Sequence, residues 1–344
     1  MSGEMSGGTT TPLLIWGAGA IGGTVGAYLA HAGQAVQLVD IEATHVEAIN
    51  ADGLRIEGPI GDFGVRVPAA TPQTLTGQYD RILLCVKAHH TEAATRALLP
   101  HLASGGYVAS FQNGLNEYVI GNIVGLDRVI GAFINFGADY MAPGRILYGG
   151  RGACVLGEMD GAATARLSAL HDAILSFDPD AITTDDIAGY LWGKLGYGAL
   201  LFATALTNDS IADVFADPAT SPVLAAVGRE VMAVAAALRV TPRGFNGFDP
   251  AAFAPGGDGA AVARSLLAME AHNRKSAKSH SGIWRDLAVR QRKTEVDAQL
   301  GPVIAEAARL GIVTPLLARM QAMIHGIEHG RRALDRANLL ELAA

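Results

Sequence analysis

Cysteine and charged side chains are scarce in this sequence of 344 residues. It contains only two cysteines, Cys85 and Cys154, and charged residues make up 17% of the chain. Both cysteines lie in apolar stretches, which indicates buried, reduced thiols, and two cysteines are too few for a disulfide framework. Half of the residues are hydrophobic, which is typical of a well-packed chain that is long enough for two domains.

Acidic residues outnumber basic residues, and the sequence has no long apolar run. The chain has 26 Lys and Arg residues against 33 Asp and Glu residues, a net charge of −7, and a pI near 5.8. No broad basic surface is expected, so nucleic acid is excluded as a predicted partner. No apolar run is long enough for a membrane span. Residues 1–12 lack the features of a signal peptide, so we expect a flexible N-terminal tail, a cytoplasmic location and no membrane association.

A glycine-rich pattern occupies residues 13–40, "LLIWGAGAIGGTVGAYLAHAGQAVQLVD". A buried strand, a G-x-G-x-x-G turn, an apolar helix and a second strand follow one another, as in a βαβ unit that binds a dinucleotide. Gly17 allows the tight turn, Gly19 the approach of a pyrophosphate, and Gly22 close packing of helix and sheet. The predicted cofactor-binding residues here are Gly17, Gly19, Ala20, Ile21, Gly22 and Asp40. An ordinary glycine-rich turn without a ligand is the alternative.

Asp40 ends the second predicted strand and favours NAD(H) as the cofactor. Its carboxylate can accept hydrogen bonds from the adenosine ribose, and Glu42 adds a second negative charge nearby. A 2′-phosphate would therefore meet like charge, and the following segment provides no cation before Arg55. In the alternative, Asp40 turns away, His45 reaches the phosphate, and the cofactor is NADP(H).

The alternation of strands and helices predicts an α/β fold with two domains. Up to about residue 182, short apolar strands alternate with helical stretches, which favours a Rossmann-type doubly wound sheet. Long alanine- and leucine-rich segments follow, such as 221–239 and 296–310, whereas 241–260 is a proline- and glycine-rich loop. We predict a dinucleotide-binding domain over 13–183 and an all-helical substrate and dimerisation domain over 184–344.

Lys87 and Asn113 each end an apolar strand, in "RILLCVK" and "YVASFQNG". Ligands of open α/β sheets bind beyond the carboxyl ends of the strands, so both residues are expected to face the cofactor. A solvated lysine and an Asn-Gly turn are the alternatives.

Lys194 is the only charged residue between Asp186 and Asp209. An ammonium group in such an apolar segment requires a specific role, because burial of an unpaired charge is costly. Gly193, Gly196 and Gly198 suggest a close approach to the backbone, and the functional interpretation is a general acid that protonates a carbonyl oxygen. A lysine that reaches the surface or forms a structural ion pair is the alternative.

Near the C-terminus, residues 280–297 combine His280, Ser281, Asp286 and Glu295 with several cations. An acidic residue from this segment that reached Lys194 would hold the ammonium group in place. A solvated helical face is the alternative, and His280 alone is more typical of a structural residue.

The chain resembles the ketopantoate reductase (2-dehydropantoate 2-reductase) family over nearly its whole length. The matching pieces are "GAGAIGG", "LLCVKAHHT", "SFQNGLNE", "LWGKL" and "RKTEVD". The resemblance implies a Rossmann domain followed by a helical domain, Lys194 as the catalytic acid, and Glu295 as a residue that supports substrate binding. It also implies that Lys87 and Asn113 lie beside nicotinamide and substrate, and that Ser281 helps to hold the substrate carboxylate.

Three features of the sequence differ from the family pattern. Gly198 and Phe202 replace two asparagines that contact the substrate hydroxyl, the segment from Asp286 to Glu295 is one residue longer than usual, and Asp40 replaces a basic residue. We therefore expect a homodimeric NAD(P)-dependent oxidoreductase of a small 2-oxo or hydroxy acid, without a metal site and with ketopantoate as the leading named substrate. The alternatives are an NAD-dependent catabolic dehydrogenase of a different hydroxy acid and a non-catalytic redox sensor.

Overall fold

The computed structural model describes residues 11–275 and 279–343. The predicted N-terminal tail, residues 1–12, therefore falls almost entirely outside the described residues. The chain divides into two compact units, Met1–Ile187 and Ala188–Ala344.

The first unit is built on one mixed sheet. Its strands are β1 (Leu13–Trp16), β2 (Val36–Val39), β3 (Leu54–Glu57), β4 (Phe63–Val65), β5 (Ala69–Ala70), β6 (Tyr79–Leu84), β7 (Leu102–Ser110), β8 (Val129–Ala142), β9 (Arg145–Glu158) and β10 (Ile182–Thr183). They are arranged in the order β4-β3-β9-β8-β7-β6-β1-β2-β5, and β10 pairs with β9. The strands from β5 to β8 in this order are parallel, whereas β8 and β9 form a long antiparallel pair.

Helices cover both faces of this sheet. They are α1 (Ala20–His31), α2 (Ala43–Asp52), α3 (Thr91–Leu98), α4 (Asn116–Val124) and α5 (Ala165–Ile174), with single 3₁₀ turns at Ala88–His90, Leu99–His101 and Leu126–Arg128. Along β1, Leu13 and Ile15 pack into the core that contains α1 and α5, whereas Leu14 and Trp16 pack into the core that contains α3 and α4. Because both faces are covered, the whole strand is apolar and buried. The predicted Rossmann-type fold is confirmed.

The second unit is helical. Its helices, of which the first starts one residue before the unit, are α6 (Ile187–Thr204), α7 (Ile211–Ala216), α8 (Ser221–Ala237), α9 (Pro250–Phe253), α10 (Gly259–Arg274), α11 (Gly282–Trp284), α12 (Val296–Arg309), α13 (Pro315–Glu328) and α14 (Ala337–Ala343). A π-helical turn, Arg285–Val289, follows α11. The described residues of this unit form no strand beyond one isolated bridge, Phe245 to Phe248. The predicted helical C-terminal part is confirmed, although the predicted loop at 241–260 contains the short helix α9.

The helices were also compared with the length and hydropathy that a bilayer requires. Within 11–275 and 279–343, none combines enough length with enough apolar character to cross a membrane.

Candidate functional site

The glycine-rich turn after β1 is tightly packed where the sequence places Gly17 and Gly22. Gly17 has a φ of +100°, and a Cβ there would lie 2.9 Å from the backbone nitrogen of Val86. A Cβ on Gly22 would lie 2.1 Å from the carbonyl oxygen of Gly17 and 2.8 Å from Cβ of Cys85. Since ordinary side chains do not fit these spaces, α1 can approach the sheet closely only with glycine at both positions. Cys85 is half-buried beside this turn, and desolvation raises the pKa of its thiol.

The N-terminus of α1 is open where a pyrophosphate is expected. Gly19 is the N-cap, no side chain caps this end, and the first turn contains no acidic residue. A Cβ on Gly19 would meet nothing within 4 Å, in contrast to its glycine neighbours. Gly19, Ala20 and Ile21 are all half-buried. Backbone N–H groups at such a helix end suit an anion, and this turn therefore fits the phosphates of a dinucleotide.

Asp40 directly follows β2 and points back to the glycine-rich turn. Its Oδ2 accepts a hydrogen bond from the backbone N–H of Ala18 at 2.9 Å, and its Oδ1 accepts one from the backbone N–H of Glu42 at 3.0 Å. Burial raises the pKa of the nearby Tyr140 hydroxyl, and the carboxylates of Asp40 and Glu42 raise it further. The end of β2 is therefore an acidic environment, and the two carboxylate oxygens still have lone pairs for ribose hydroxyls.

His45 does not take the role that the NADP(H) alternative requires. Its side chain lies on α2 with the residue only 1% exposed. Both ring nitrogens are engaged by backbone groups, one by the carbonyl oxygen of Ala18 and the other by the N–H of Gly144, each at 2.9 Å. The alternative in which this ring reaches a phosphate is therefore wrong, because the ring is enclosed and its nitrogens are already paired.

Lys87 and Asn113 follow neighbouring parallel strands. β6 and β7 pair in parallel, so the segments after Leu84 and Ser110 leave the same edge of the sheet. Lys87 is half-buried and precedes the 3₁₀ turn Ala88–His90, whereas Asn113 is exposed. The fold thus brings together the two loops that carry these residues, as parallel pairing requires.

A buried polar network joins these two loops, and the sequence analysis missed it. Gln112 donates hydrogen bonds to the carbonyl oxygen of Val86 and to Oγ1 of Thr91, each at 2.8 Å. Thr91 contacts Oδ1 of Asn116 at 2.9 Å, and Asn116 donates to the carbonyl oxygen of Asn113 at 2.6 Å. The sequence signal that could have predicted this network is the presence of three polar side chains beside the two strand ends, because polar groups at buried positions are usually hydrogen-bonded.

In the helical unit, Lys194 lies on the half-buried stripe of α6. Tyr190, Lys194, Gly198 and Leu201 are half-buried, and most of the other residues of this helix are buried. This spacing of three to four residues places the four on one side of the helix. Lys194 therefore has a partly accessible position on an otherwise apolar element.

The three glycine positions around Lys194 differ in what surrounds them. A Cβ on Gly193 would lie 2.0 Å from the carbonyl oxygen of Arg243, and one on Gly196 would lie 2.7 Å from Cε of Met232. The protein itself thus makes the close approaches at these two positions. Gly198 differs, since among the described residues outside its own helix backbone the one atom within 4 Å of its Cβ position is Oε1 of Gln299, at 3.6 Å.

Glu295 and Gln299 lie at the start of α12. Glu295 is the N-cap, and its carbonyl oxygen accepts the backbone N–H of Gln299 at 2.9 Å, so the two residues are one turn apart on the same side. Both are half-buried. The amide of Gln299 thus lies beside Gly198, one turn of α6 from Lys194.

Ser281 and His280 have structural partners. Ser281 is the N-cap of α11, and its Oγ accepts the backbone N–H of Trp284 at 3.1 Å. The ring of His280 stacks on Trp284 with centroids 4.0 Å apart, and its Nε2 lies 3.0 Å from the carbonyl oxygen of Asn208. The hydroxyl hydrogen of Ser281 remains available for a substrate carboxylate.

The segment from Asp286 to Glu295, which the sequence predicts to be one residue longer than in the family, begins within the π-helical turn Arg285–Val289. Arg290 donates its backbone N–H to the carbonyl oxygen of Arg285, an i to i+5 bond that accommodates one more residue than an α-helical turn. Buried Asp286 holds the segment by ion pairs with Arg290 at 3.2 Å and Arg292 at 2.9 Å.

Comparison with known proteins identifies matching sequences over both units. The model of the family "Ketopantoate reductase PanE/ApbA" matches residues 13–161, and its C-terminal counterpart matches residues 186–328. A 2-dehydropantoate 2-reductase of Halobacterium salinarum is 27% identical over 319 residues, which cover 91% of this chain and 97% of that protein.

Solved structures share the same architecture. A PanE/ApbA family ketopantoate reductase from Ralstonia eutropha JMP134 is 28% identical, with a TM-score of 0.78 over 93% of this chain and 99% of that one. D-mandelate dehydrogenase, in its complex with NADH and anilino(oxo)acetate, is 20% identical, with a TM-score of 0.79 over the same shares, and this likeness concerns the fold. The chain belongs to the ketopantoate reductase family, whose members are NAD(P)-dependent oxidoreductases that act on a keto group.

Proposed function

We propose that this protein reduces a small 2-oxo acid, with NADH as its preferred cofactor and Lys194 as the proton donor. The observation that carries this proposal is the half-buried position of Lys194 on a helix that is otherwise apolar. A lysine in such a place has a strong electrostatic effect on a bound carbonyl group. Family membership supports catalysis over the non-catalytic redox sensor.

The first unit offers the groups that a dinucleotide requires. The open N-terminus of α1, with Gly19, Ala20 and Ile21, suits the pyrophosphate, and Asp40 suits the adenosine ribose. When bound, the nicotinamide supplies the hydride for reduction of the keto group. Lys87 and Asn113, on their two joined loops, are proposed to contact the cofactor, and Asn113 also the substrate.

Each proposed catalytic side chain has a separate task. The ammonium group of Lys194 donates a hydrogen bond to the keto oxygen and transfers its proton as that oxygen gains charge. Glu295 binds a polar group of the substrate and fixes its orientation. Ser281, whose hydroxyl hydrogen is not used by its capping bond, holds the carboxylate.

Two kinds of acid are candidate substrates of this protein. Ketopantoate, the substrate named for the related 2-dehydropantoate 2-reductases, is the leading named substrate, although the residues at positions 198 and 202 lead us to expect better turnover of an acid without its hydroxyl. A different hydroxy acid, oxidised by an NAD-dependent catabolic enzyme, is the second, and Asp40 together with Gly198 favours it. We further propose a cytoplasmic location, in agreement with a sequence that contains only two cysteines, and a homodimer.

Steady-state turnover of a panel of acids tests the proposal. Purified protein is mixed with ketopantoate, 3,3-dimethyl-2-oxobutanoate, 2-oxobutanoate and phenylglyoxylate, each with NADH and with NADPH, and nicotinamide absorbance is followed. The corresponding 2-hydroxy acids are tested with NAD and NADP for the reverse reaction. Turnover of at least one acid is expected. Tight binding of NADH without turnover of any acid would favour the redox sensor and contradict the proposal.

A further inference from the structure

The imidazole of His45 connects two turns that are far apart in the sequence. One ring nitrogen, Nε2, lies 2.9 Å from the carbonyl oxygen of Ala18 in the glycine-rich turn. The other, Nδ1, lies 2.9 Å from the backbone nitrogen of Gly144, in the turn between β8 and β9. The ring also packs edge-to-face on Tyr140, with centroids 5.1 Å apart. His45 is thus held on three sides and is nearly inaccessible to solvent.

The two partners determine the state of the ring. The N–H of Gly144 can only donate, so Nδ1 must present its lone pair. Nε2 therefore carries the ring hydrogen and donates it to the carbonyl oxygen of Ala18, and the imidazole is neutral. Gly144 itself is fixed, because its carbonyl oxygen accepts the backbone N–H of Arg55 at 2.8 Å.

Ala18 is held from both ends. Its carbonyl oxygen is bound by His45, and its N–H is bound by the carboxylate of Asp40 at 2.9 Å. The residues on either side, Gly17 and Gly19, have no side chains that could fix the turn, and glycine has the greatest conformational freedom of all residues. The hydrogen bonds to Ala18 therefore restrict a segment whose own sequence favours mobility.

We propose that His45 is a positioning residue for dinucleotide binding, which fixes the glycine-rich turn through Ala18 so that the N-terminus of α1 is preorganised for the pyrophosphate. A turn that is ordered before binding loses less conformational freedom when the ligand arrives, and the affinity is higher for that reason. The inference rests on the proposed function only in that the chain binds a dinucleotide. His45 touches neither substrate nor cofactor in this role.

The test uses two ligands that differ in the part that meets the turn. ADP carries a pyrophosphate, whereas adenosine does not, and both can be measured by calorimetry or by displacement of fluorescent NADH. The variant His45→Leu removes both hydrogen bonds of the ring. We expect the Kd of ADP to rise about tenfold, the size expected for the loss of one net hydrogen bond. The Kd of adenosine should change less than about twofold, a difference too small to count as a lost hydrogen bond.

A second variant and a control separate positioning from general stability. His45→Gln keeps one donor and one acceptor on its side chain and should restore part of the ADP affinity. The control is His171→Leu on α5, which removes an imidazole contact with the carbonyl oxygen of Ala181, 2.8 Å away, in the same unit. It should lower the melting temperature without altering the ratio of the two Kd values.

Two results would overturn the inference. One is an unchanged Kd of ADP in His45→Leu, and the other is an equal loss of ADP and adenosine binding, which would indicate general destabilisation. If His45→Leu does not fold, the ADP-to-adenosine ratio of His45→Gln decides in the same way. Either result leaves the proposed function intact, whereas failure of the wild-type chain to bind ADP or NADH would overturn both.

Discussion

The carboxylate of Asp40 and the backbone N–H of Ala18 are joined by a hydrogen bond of 2.9 Å. The residue proposed to select between NADH and NADPH therefore also holds the turn proposed to bind the pyrophosphate. A substitution of Asp40 changes two things at once, the charge beside the ribose and the support of the turn. Variants that separate the charge from the hydrogen bond are needed to assign the preference to the charge.

The wild-type protein should prefer NADH over NADPH by about tenfold or more in kcat/KM. Repulsion of the 2′-phosphate by Asp40 and loss of the ribose hydrogen bonds each contribute about 1 kcal/mol. Asp40→Asn retains an oxygen that can accept from Ala18 but has no charge, so its preference should fall towards unity. Kinetics with both cofactors measure the effect.

Asp40→Arg should shift the preference further, towards NADPH. Because arginine cannot accept a hydrogen bond from the N–H of Ala18, the Asp40→Arg variant should also bind both cofactors more weakly than the Asp40→Asn variant does. A wild-type preference for NADPH would show that the carboxylate does not control the choice.

Features encoded within short segments were predicted from the sequence, and features that depend on distant segments were not. The apolar run Leu13–Trp16 and the glycines after it determine a strand and a turn locally. The partners of His45 are 27 residues away at Ala18 and 99 residues away at Gly144, so nothing near His45 in the sequence indicates them. The alternative role of His45 as a phosphate contact is wrong because both ring nitrogens are engaged by these distant backbone groups.

The helical unit shows the same limit. The glycines near Lys194 predicted a close approach to the backbone, but residues such as Arg243 and Met232, which make it, lie on other elements. Likewise, the amide of Gln299 lies beside Gly198 only because α12 packs there. Periodicity predicted that these helices exist, whereas packing between them decides which side chains meet.

Replacement of Gln112 by methionine should destabilise the protein by about 1–3 kcal/mol. Methionine has a similar shape but cannot donate to Val86 and Thr91, and the buried carbonyl oxygen of Val86 is then unsatisfied. Because the network joins the loops of Lys87 and Asn113, kcat/KM should fall as well. Urea denaturation and steady-state kinetics measure the two effects.

A double-mutant cycle tests whether Gln112 and Thr91 stabilise the protein together. Thr91→Val removes a partner of Gln112, so the double variant should lose less stability than the sum of the single variants. Gln37→Met on β2, whose amide donates to the backbone carbonyl oxygens of Leu38 and Pro68, is the control. Additive losses would show that Gln112 and Thr91 act independently.

Replacement of Lys194 by methionine should lower kcat by about two to four orders of magnitude, the range of general acid–base catalysis. Methionine retains most of the apolar stem but has no proton to donate. The Kd of NADH should remain within about twofold, because this variant leaves the dinucleotide contacts unchanged. Lys275→Met, an exposed lysine after α10, is the control. Unchanged kcat in Lys194→Met would remove the proposed mechanism.

Replacement of Glu295 by glutamine should act mainly on the substrate. Loss of a charge-assisted hydrogen bond is expected to raise KM for the oxo acid about tenfold or more, while the Kd of NADH changes little. The backbone carbonyl of Glu295, which begins α12, is unaffected by this change. Glu306→Gln on the same helix serves as the control. Weaker cofactor binding with normal substrate binding would show that Glu295 has been assigned to the wrong ligand.

The wild-type enzyme should turn over 3,3-dimethyl-2-oxobutanoate more efficiently than ketopantoate, which differs by one hydroxyl. The resemblance to the family implies that Gly198 and Phe202 replace two asparagines, so we expect two amides that could bind that hydroxyl to be absent, and Phe202 is fully buried. Gln299, with Oε1 3.6 Å from the Cβ position of Gly198, supplies one amide there. The preference for the acid without the hydroxyl should therefore be modest, about tenfold, since one unpaired hydroxyl costs about 1–3 kcal/mol and a single amide offsets part of that cost.

Gln299→Leu should increase this preference, and Gly198→Asn should reduce it. Ketopantoate turnover as efficient as that of every other acid in the panel would refute this expectation.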